Sequence, residues 1–314
     1  MDNSRVYVTG GSGFVGARLI HQLAASGFAV TAAVRGALDA QGAPSWIDEL
    51  AGHEVVVHCA ARVHVMDERS ADPLAEFRRV NVQGTLNLAR RAAAAGVRRF
   101  VFISSIKVNG EQTAPGRPFT AFDVPAPQDA YGVSKAEAEA ELRQLADETG
   151  MQLVIIRPVL VYGPGVKGNF RSMMTWLGRG VPLPLGAIDN RRSLVSLDNL
   201  VDLIVACIDH PAAVGQILLV SDGVDLSTPQ MLRYMGQAMG KRVRLLPVPV
   251  AWLLGGAALL GKRGMAQRLC GSLQVDIGHT CETLEWTPPV TLEERFRAAS
   301  VKEAGCTGLG KVLV

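Results

Sequence analysis

The chain has 314 residues, 48% hydrophobic and 19% charged, with 32 basic against 29 acidic residues and a net charge of +3. That composition excludes a disordered chain and allows one large or two modest globular domains with a sizeable core. The charge excess is too small to indicate nucleic acid, so any phosphate must be held by individually placed groups. Five cysteines and six histidines are scattered, with no C-x-x-C and no H-E-x-x-H. No metal site is expected, and the thiols read as reduced ones in a cytoplasmic protein.

A strand is expected at once, over Arg5–Thr9, leaving no room for a signal peptide. A helix follows over Phe14–Ser26, stopped at Gly27, and then a second strand over Ala29–Val34. Val55–Cys59, Phe100–Ser104 and Leu153–Ile156 are further apolar, β-rich runs. Between them lie helix patterns over Pro73–Ala95, ended by Gly96, and Tyr131–Thr149, ended by Gly150. Strands alternating with helices predict an α/β, doubly wound parallel sheet of the Rossmann kind over residues 1–160. After Pro158 the texture becomes rich in loops, with helix patterns at Phe170–Leu177, Leu197–His210, Pro229–Met239 and Val250–Leu260. Residues 161–314 are therefore expected to form a smaller, mainly substrate-binding α/β part, with a return to the sheet around 190–220. The most apolar run, Val248 to Gly261, is too short to span a bilayer. It is read as a buried helix. An interfacial membrane helix is the alternative, since Lys262 and Arg263 follow.

Gly10, Gly13 and Gly16 end a strand and open a helix, the context in which such spacing implies a dinucleotide. The first allows a tight turn, the second a close approach of backbone to pyrophosphate, and the third close packing of helix on sheet, with helix N–H groups holding the charge. The end of the second strand carries Val34 and Arg35 where a carboxylate would otherwise receive the ribose hydroxyls. A cation there can hold a 2′-phosphate, which favours NADP(H) over NAD(H). The competing reading is that Arg35 ends a strand in solvent.

Tyr131 and Lys135 are one helical turn apart, on one face. A cation beside a phenol favours the phenolate, so the pair is expected to lower the pKa of the Tyr131 hydroxyl. Ser104 and Ser105 end a strand, where a hydroxyl faces the ligand crevice and can hold a reacting oxygen. Tyr131 is then the general acid or base, and a dinucleotide carries the hydride.

At this point the chain resembles the extended short-chain dehydrogenase/reductase family, in its nucleotide-sugar epimerase/reductase branch. The resemblance is carried by Thr9–Gly16, His58-Cys59-Ala60-Ala61, Asn81-Val82-Gln83-Gly84-Thr85, Phe102–Gly110, Tyr131–Lys135, Arg157-Pro158, Val161-Tyr162-Gly163-Pro164, Gly168-Asn169-Phe170 and Arg192–Asn199. It implies Ser105, Tyr131 and Lys135 as the catalytic group. Phe14, Val15, Ala60, Ala61, Asn81, Lys135 and Pro158 then join the glycines beside the cofactor. Ser105, Lys107, Asn169, Phe170 and Arg192 lie beside a UDP-sugar. For Arg192 the competing reading is a surface ion pair with Asp189 or Asp198. The family also implies a homodimer through the two long helices, whose Ala-rich faces alternatively pack on the sheet.

Three departures matter. Ile106-Lys107 follow Ser105 where the related dehydratases carry Asp-Glu, which removes dehydration. Pro158-Val159-Leu160 stand where many epimerases have an Asn. Only residues 36–57 separate Arg35 from His58, so an edge strand of the sheet is expected to be absent or vestigial. The finer texture includes His64-Val65-Met66, Gly116-Arg117-Pro118-Phe119 and Ser272-Leu273-Gln274-Val275-Asp276. It is similar to reductases of bacterial O-antigen clusters and implies NAD(P)H reduction of a UDP-4-keto-6-deoxy-N-acetylhexosamine at C4. The alternatives are C4 epimerisation of a UDP-sugar with bound NAD and, from another class, a non-catalytic NAD(P)-binding sensor.

Overall fold

The computed structural model describes residues 4–33, 50–63, 72–166, 169–261 and 263–291. Arg35, most of the short 36–57 segment and His64-Val65-Met66 lie outside them. Among the described residues a six-stranded sheet runs β2-β1-β3-β4-β5-β8, every neighbouring pair parallel. Its strands are β1 (Arg5–Thr9), β2 (Ala29–Ala32), β3 (Val55–His58), β4 (Arg99–Ile103), β5 (Gln152–Pro158) and β8 (Ile217–Val220). Apart from the edge strand β2, which has no buried residue, the runs are largely apolar without alternation because both faces are covered. Val6, Val8, Val101 and Ile103 join one core, under α1 (Phe14–Ala25) and α6 (Leu197–Asp209). Tyr7, Phe100 and Phe102 join the other, under α3 (Gly84–Ala94) and α4 (Ala130–Thr149).

Glycine ends the helices as expected. Gly150 closes α4 with φ +72°, and its N–H donates to the Ala146 carbonyl (2.9 Å). The long pattern over Pro73–Ala95 is one helical path but not one α-helix. α2 (Pro73–Phe77) passes through a π-helical stretch, Arg78–Gln83, before α3 begins. An inserted π turn of this kind rotates the side chains that follow it, and Asn81 sits inside it.

Beyond β5 a small sheet forms from β6 (Leu160–Tyr162), β7 (Arg192–Ser196) and β9 (Asp225–Leu226), in the order β6-β7-β9. A third core gathers Tyr162, Leu194 and Leu226 with residues of α5 (Asn169–Gly178) and α7 (Thr228–Ala238). The chain returns to the large sheet through α6 and through β8, which pairs with β5.

One expectation is overturned. The apolar run forms α8 (Val250–Leu259), but no residue of it is buried. Val250 and Leu253 rest half-covered on the third core, while Trp252 is 75% exposed and Leu259 91%. The reason is positional. α8 and α9 (Arg263–Cys270) pack side by side at the edge of the small lobe, and among the described residues no further layer lies over them.

Candidate active site

The carboxyl ends of β1, β3, β4 and β5 lie side by side, and the predicted cofactor residues follow them. The chain leaves β1 for β2 on one side and returns to β3 on the other. Such a switch point opens a crevice at the strand ends. Gly10 turns there with φ +72°, and a Cβ on it would lie 2.7 Å from the Ala60 nitrogen. This glycine therefore permits both the turn and the approach of the β3 exit loop carrying Ala60 and Ala61. A Cβ on Gly16 would meet the Gly10 carbonyl at 2.3 Å, so the third glycine lets α1 sit against the turn itself. Gly13 is the N-cap of α1 and offers no side-chain cap. The first-turn N–H groups of Phe14 and Val15 are left for another acceptor, which fits a pyrophosphate.

His58, at the end of β3, straps this region. Its Nδ1 is 2.6 Å from Thr9 Oγ1 and its Nε2 3.0 Å from Thr85 Oγ1. Burial, helped by the charge of Lys135, holds its pKa down at about 3. It is a neutral histidine that holds Thr9 and Thr85. Asn81 makes a second strap: its Oδ1 accepts from Arg62 N (2.8 Å), and its Nδ2 donates to the Arg62 carbonyl and to Ser134 Oγ (3.0 Å each). The predicted cofactor residue thus ties the β3 exit loop to α4. Pro158 ends β5, buried against Val220 of β8 in the pairing register.

Ser105 and Tyr131 meet, and Lys135 lies one turn along α4 from Tyr131. Ser105 caps the 3-10 turn Ile106–Val108 that follows β4, and its side chain is hydrogen-bonded to Tyr131. The Tyr131 ring packs edge-on against Phe77, 6.1 Å between centroids. Lys135 is buried; its Nζ donates to the Ile103 carbonyl (2.8 Å) and lies 4.4 Å from the centre of the Phe102 ring.

The electrostatics differ from expectation. Burial and then the Asp129 carboxylate push the Tyr131 pKa up to about 12, against the pull of the Ser105 hydrogen bond. Lys135 is not among the groups that lower it. Burial brings Lys135 itself down to about 8, resisted by Glu139 and Cys59. The spacing put the two side chains on one face, but the ammonium turns toward a strand-end carbonyl and an aromatic face instead of the phenol.

Two groupings escaped the sequence reading. Glu139 stands one further turn along α4 and is buried. It takes a two-pronged ion pair from Arg157, with Nε–Oε1 2.9 Å and Nη2–Oε2 2.5 Å, and a hydrogen bond from Ser104 Oγ (2.5 Å). Arg157 Nη1 also donates to Asn109 Oδ1 (2.9 Å). A carboxylate on the buried face of a helix, and an arginine inside an apolar strand, could each have pointed to the other. Asp129 is the N-cap of α4, accepting from Gly132 N (2.7 Å), a role readable from its place just before the helix.

Other predicted substrate residues meet protein partners. Lys107 Nζ pairs with Asp129 and, at 3.0 Å, with Glu111, so it clamps the N-cap of the helix that carries Tyr131. Arg192 Nη1 donates to the carbonyls of Arg268 (2.8 Å) and Gly271 (3.0 Å), satisfying the end of α9. The Asp198 considered as its partner pairs with Arg18 at 2.6 Å instead. Asn169 and Phe170 open α5, and their side chains lie outside the described residues. A cavity of about 490 Å³ lies elsewhere, where Gly150–Leu153 and Gly215–Ile217 lead into β5 and β8, at the end of the sheet opposite the crevice.

The model of the NAD dependent epimerase/dehydratase family matches residues 6–220. The chain belongs to this family. It is an NAD(P)-dependent enzyme of the extended short-chain dehydrogenase/reductase type, a group that includes epimerases. A UDP-glucose 4-epimerase of Vibrio cholerae is 50% identical over 305 residues, covering 93% of each chain. An N-acetyl-alpha-D-glucosaminyl-diphospho-ditrans,octacis-undecaprenol 4-epimerase of Escherichia coli O157:H7 is 30% identical over 275 residues, covering 81% of this chain and 78% of its own. Among solved structures, the UDP-glucose 4-epimerase of Thermotoga maritima with UDP-glucose superposes with a TM-score of 0.75 at 22% identity, over 96% of this chain and 99% of that one. The fold is that of this enzyme.

Proposed function

We propose that the chain inverts C4 of a UDP-hexose, with a dinucleotide retained through each cycle. The observation that carries this reading is the 50% identity across 93% of both chains to a UDP-glucose 4-epimerase. It ranks inversion above the reduction to which the finer sequence texture points. The more distant E. coli relative is also, by name, a 4-epimerase. In this reading residues 1–160 hold the dinucleotide and residues 161–314 most of the sugar nucleotide.

Gly10, Gly13, Gly16 and the first turn of α1 would hold the pyrophosphate, with Ala60, Ala61 and Lys135 lining the crevice. When bound, the dinucleotide supplies hydride acceptance from C4 and its return. Ser105 holds the oxygen on C4, and Tyr131 removes and restores its proton. Ser105 already contacts the phenol, so one hydroxyl can orient both the sugar oxygen and its base. Lys135, charged below about pH 8, is the buried cation of the site. The Glu139–Arg157 pair fixes the face of α4 that presents Tyr131 and Lys135.

A second reading, C4 reduction of a UDP-4-keto-6-deoxy-N-acetylhexosamine by NADPH, is favoured by the Val34-Arg35 pair after β2 and the lack of a carboxylate there. Purified protein supplied with UDP-glucose or UDP-N-acetylglucosamine separates the two. The C4 epimer forming without net nucleotide oxidation supports inversion. Oxidation of NADPH in step with loss of the 4-keto sugar, with no epimer from either UDP-hexose, overturns it.

A further inference from the structure

The small lobe carries a feature that neither inversion nor reduction uses. From Leu226 to Val275 there is no Asp or Glu, while seven Lys and Arg fall in that stretch. That leaves 25 basic against 29 acidic residues elsewhere, so the positive excess of the whole chain resides here. Within this stretch stands α8, apolar on every side and without a buried residue. Trp252, Leu259 and Leu260 are 75, 91 and 74% exposed, and Leu246, just before the helix, 50%. Lys241, Arg242 and Arg244 precede it, all exposed, and Arg268 on the neighbouring α9 is exposed as well.

We propose that α8 and its flanking cations are a docking surface for an anionic lipid bilayer, on which the enzyme lies without crossing. Ten residues make a helix about 15 Å long, about half the ~30 Å hydrocarbon thickness. No helix among the described residues is long and apolar enough to span a membrane. An apolar helix bordered by cations, with a tryptophan among its exposed residues, has the chemistry of the headgroup boundary. The hydrocarbon side chains enter the acyl region and the cations meet lipid phosphates. A stretch of 50 residues with no carboxylate presents nothing to repel that surface. A second copy of the chain fits the face less well. A helix about 15 Å long and about 10 Å wide offers a few hundred Å², well under the ~800 Å² per partner of a stable interface. The helices expected to meet a second copy, α3 and α4, pack on the second core, whereas α8 rests on the third.

The test is flotation of the full chain with vesicles of phosphatidylethanolamine and phosphatidylglycerol, against vesicles of phosphatidylcholine alone, with sedimentation velocity run in parallel. The wild type is expected to float with the anionic vesicles, to bind several-fold less to the neutral ones, and to be released by salt. The triple variant Trp252→Glu, Leu259→Glu, Leu260→Glu is expected to lose at least about tenfold in bound fraction. It should retain the C4 activity measured on a water-soluble UDP-sugar, because none of the three residues belongs to the crevice. Wild type that stays unbound, or a triple variant that binds as well as wild type, overturns the proposal. So does a triple variant that lowers the oligomeric state, which would assign the face to a second copy. Since the readout is lipid binding, its failure is distinct from failure of the C4 reading.

Discussion

The crevice face of α4 and the whole of α8 treat their side chains in opposite ways. On α4, charge is buried and every buried charge has a partner: Lys135 meets the Ile103 carbonyl, and Glu139 meets Arg157 and Ser104. On α8, apolar groups are exposed, and the helix lies in a fifty-residue stretch that holds cations and no carboxylate. Each arrangement costs free energy in isolation, burial of charge in the first and exposure of hydrocarbon in the second. The first is offset inside the molecule, the second only by something outside it. The contrast fits the proposed division between α4 as the chemical helix and α8 as the docking helix.

The largest effect that would break this division is on chemistry. Tyr131→Phe should lower kcat by about 10²–10⁴-fold while leaving the thermal midpoint near that of the wild type, since the packing on Phe77 survives. A variant with near-normal turnover would remove α4 from the chemistry. Next comes stability. Glu139→Gln leaves Arg157 buried without its counter-charge and should cost about 3–5 kcal/mol in urea unfolding. Adding Arg157→Met should recover most of that loss, because an apolar partner needs no counter-charge. In whatever folded fraction remains, Glu139→Gln removes a group that raises the Lys135 pKa. The alkaline fall in activity, expected as Lys135 loses its proton near pH 8, should therefore move to lower pH. An unmoved alkaline limb would dissociate it from Lys135.

A second stability effect, spread over several pH units, concerns His58. Its folded pKa of about 3 lies below the ordinary 6.5, so between those values the unfolded chain binds the extra proton. Stability contributed by neutral His58 is fully present above pH 6.5. It is lost on acidification at up to about 1.4 kcal/mol per pH unit toward pH 3. His58→Gln should flatten that part of the acid denaturation curve. The smallest effect sharpens the comparison from the other side. Leu259→Ser on α8 should change unfolding free energy by no more than about 0.5 kcal/mol, because the side chain has little to lose. A loss of several kcal/mol would mean that α8 is covered within the folded molecule.

The buried strands of the large sheet were legible because a strand buried on both faces reads as a largely apolar run. The helix ends were legible because Gly96 and Gly150 supply the left-handed residues that stop a helix. The glycine turn and the one-turn spacing of Tyr131 and Lys135 were legible from sequence context, whereas Ser105 was singled out from the Ser104-Ser105 pair only by the family resemblance. The π-helical stretch around Asn81 was not, since nothing in Arg78–Gln83 distinguishes it locally from an α-helix. The expected acidification of Tyr131 failed for a related reason. A four-residue spacing fixes which face two side chains share, not which of several acceptors a long lysine chooses. The protein contacts of Arg192 met the same limit: it reaches the end of α9 only because β7 and the residues after α9 are brought together in space.

The amino-acid order alone thus determined the alternation of strands and helices, the glycine turn after β1 and the types of residue available for proton transfer. Those depend on local backbone preference and short-range periodicity. Tertiary structure decided which charges neutralise one another, how far each pKa moves, and whether an apolar helix is covered. Burial and Coulomb energies depend on neighbours distant in the chain: Arg157 is 18 residues from Glu139, and Thr9 is 49 from His58. Composition gives α8 its hydrocarbon, but only the packing around it decides that this hydrocarbon faces outward.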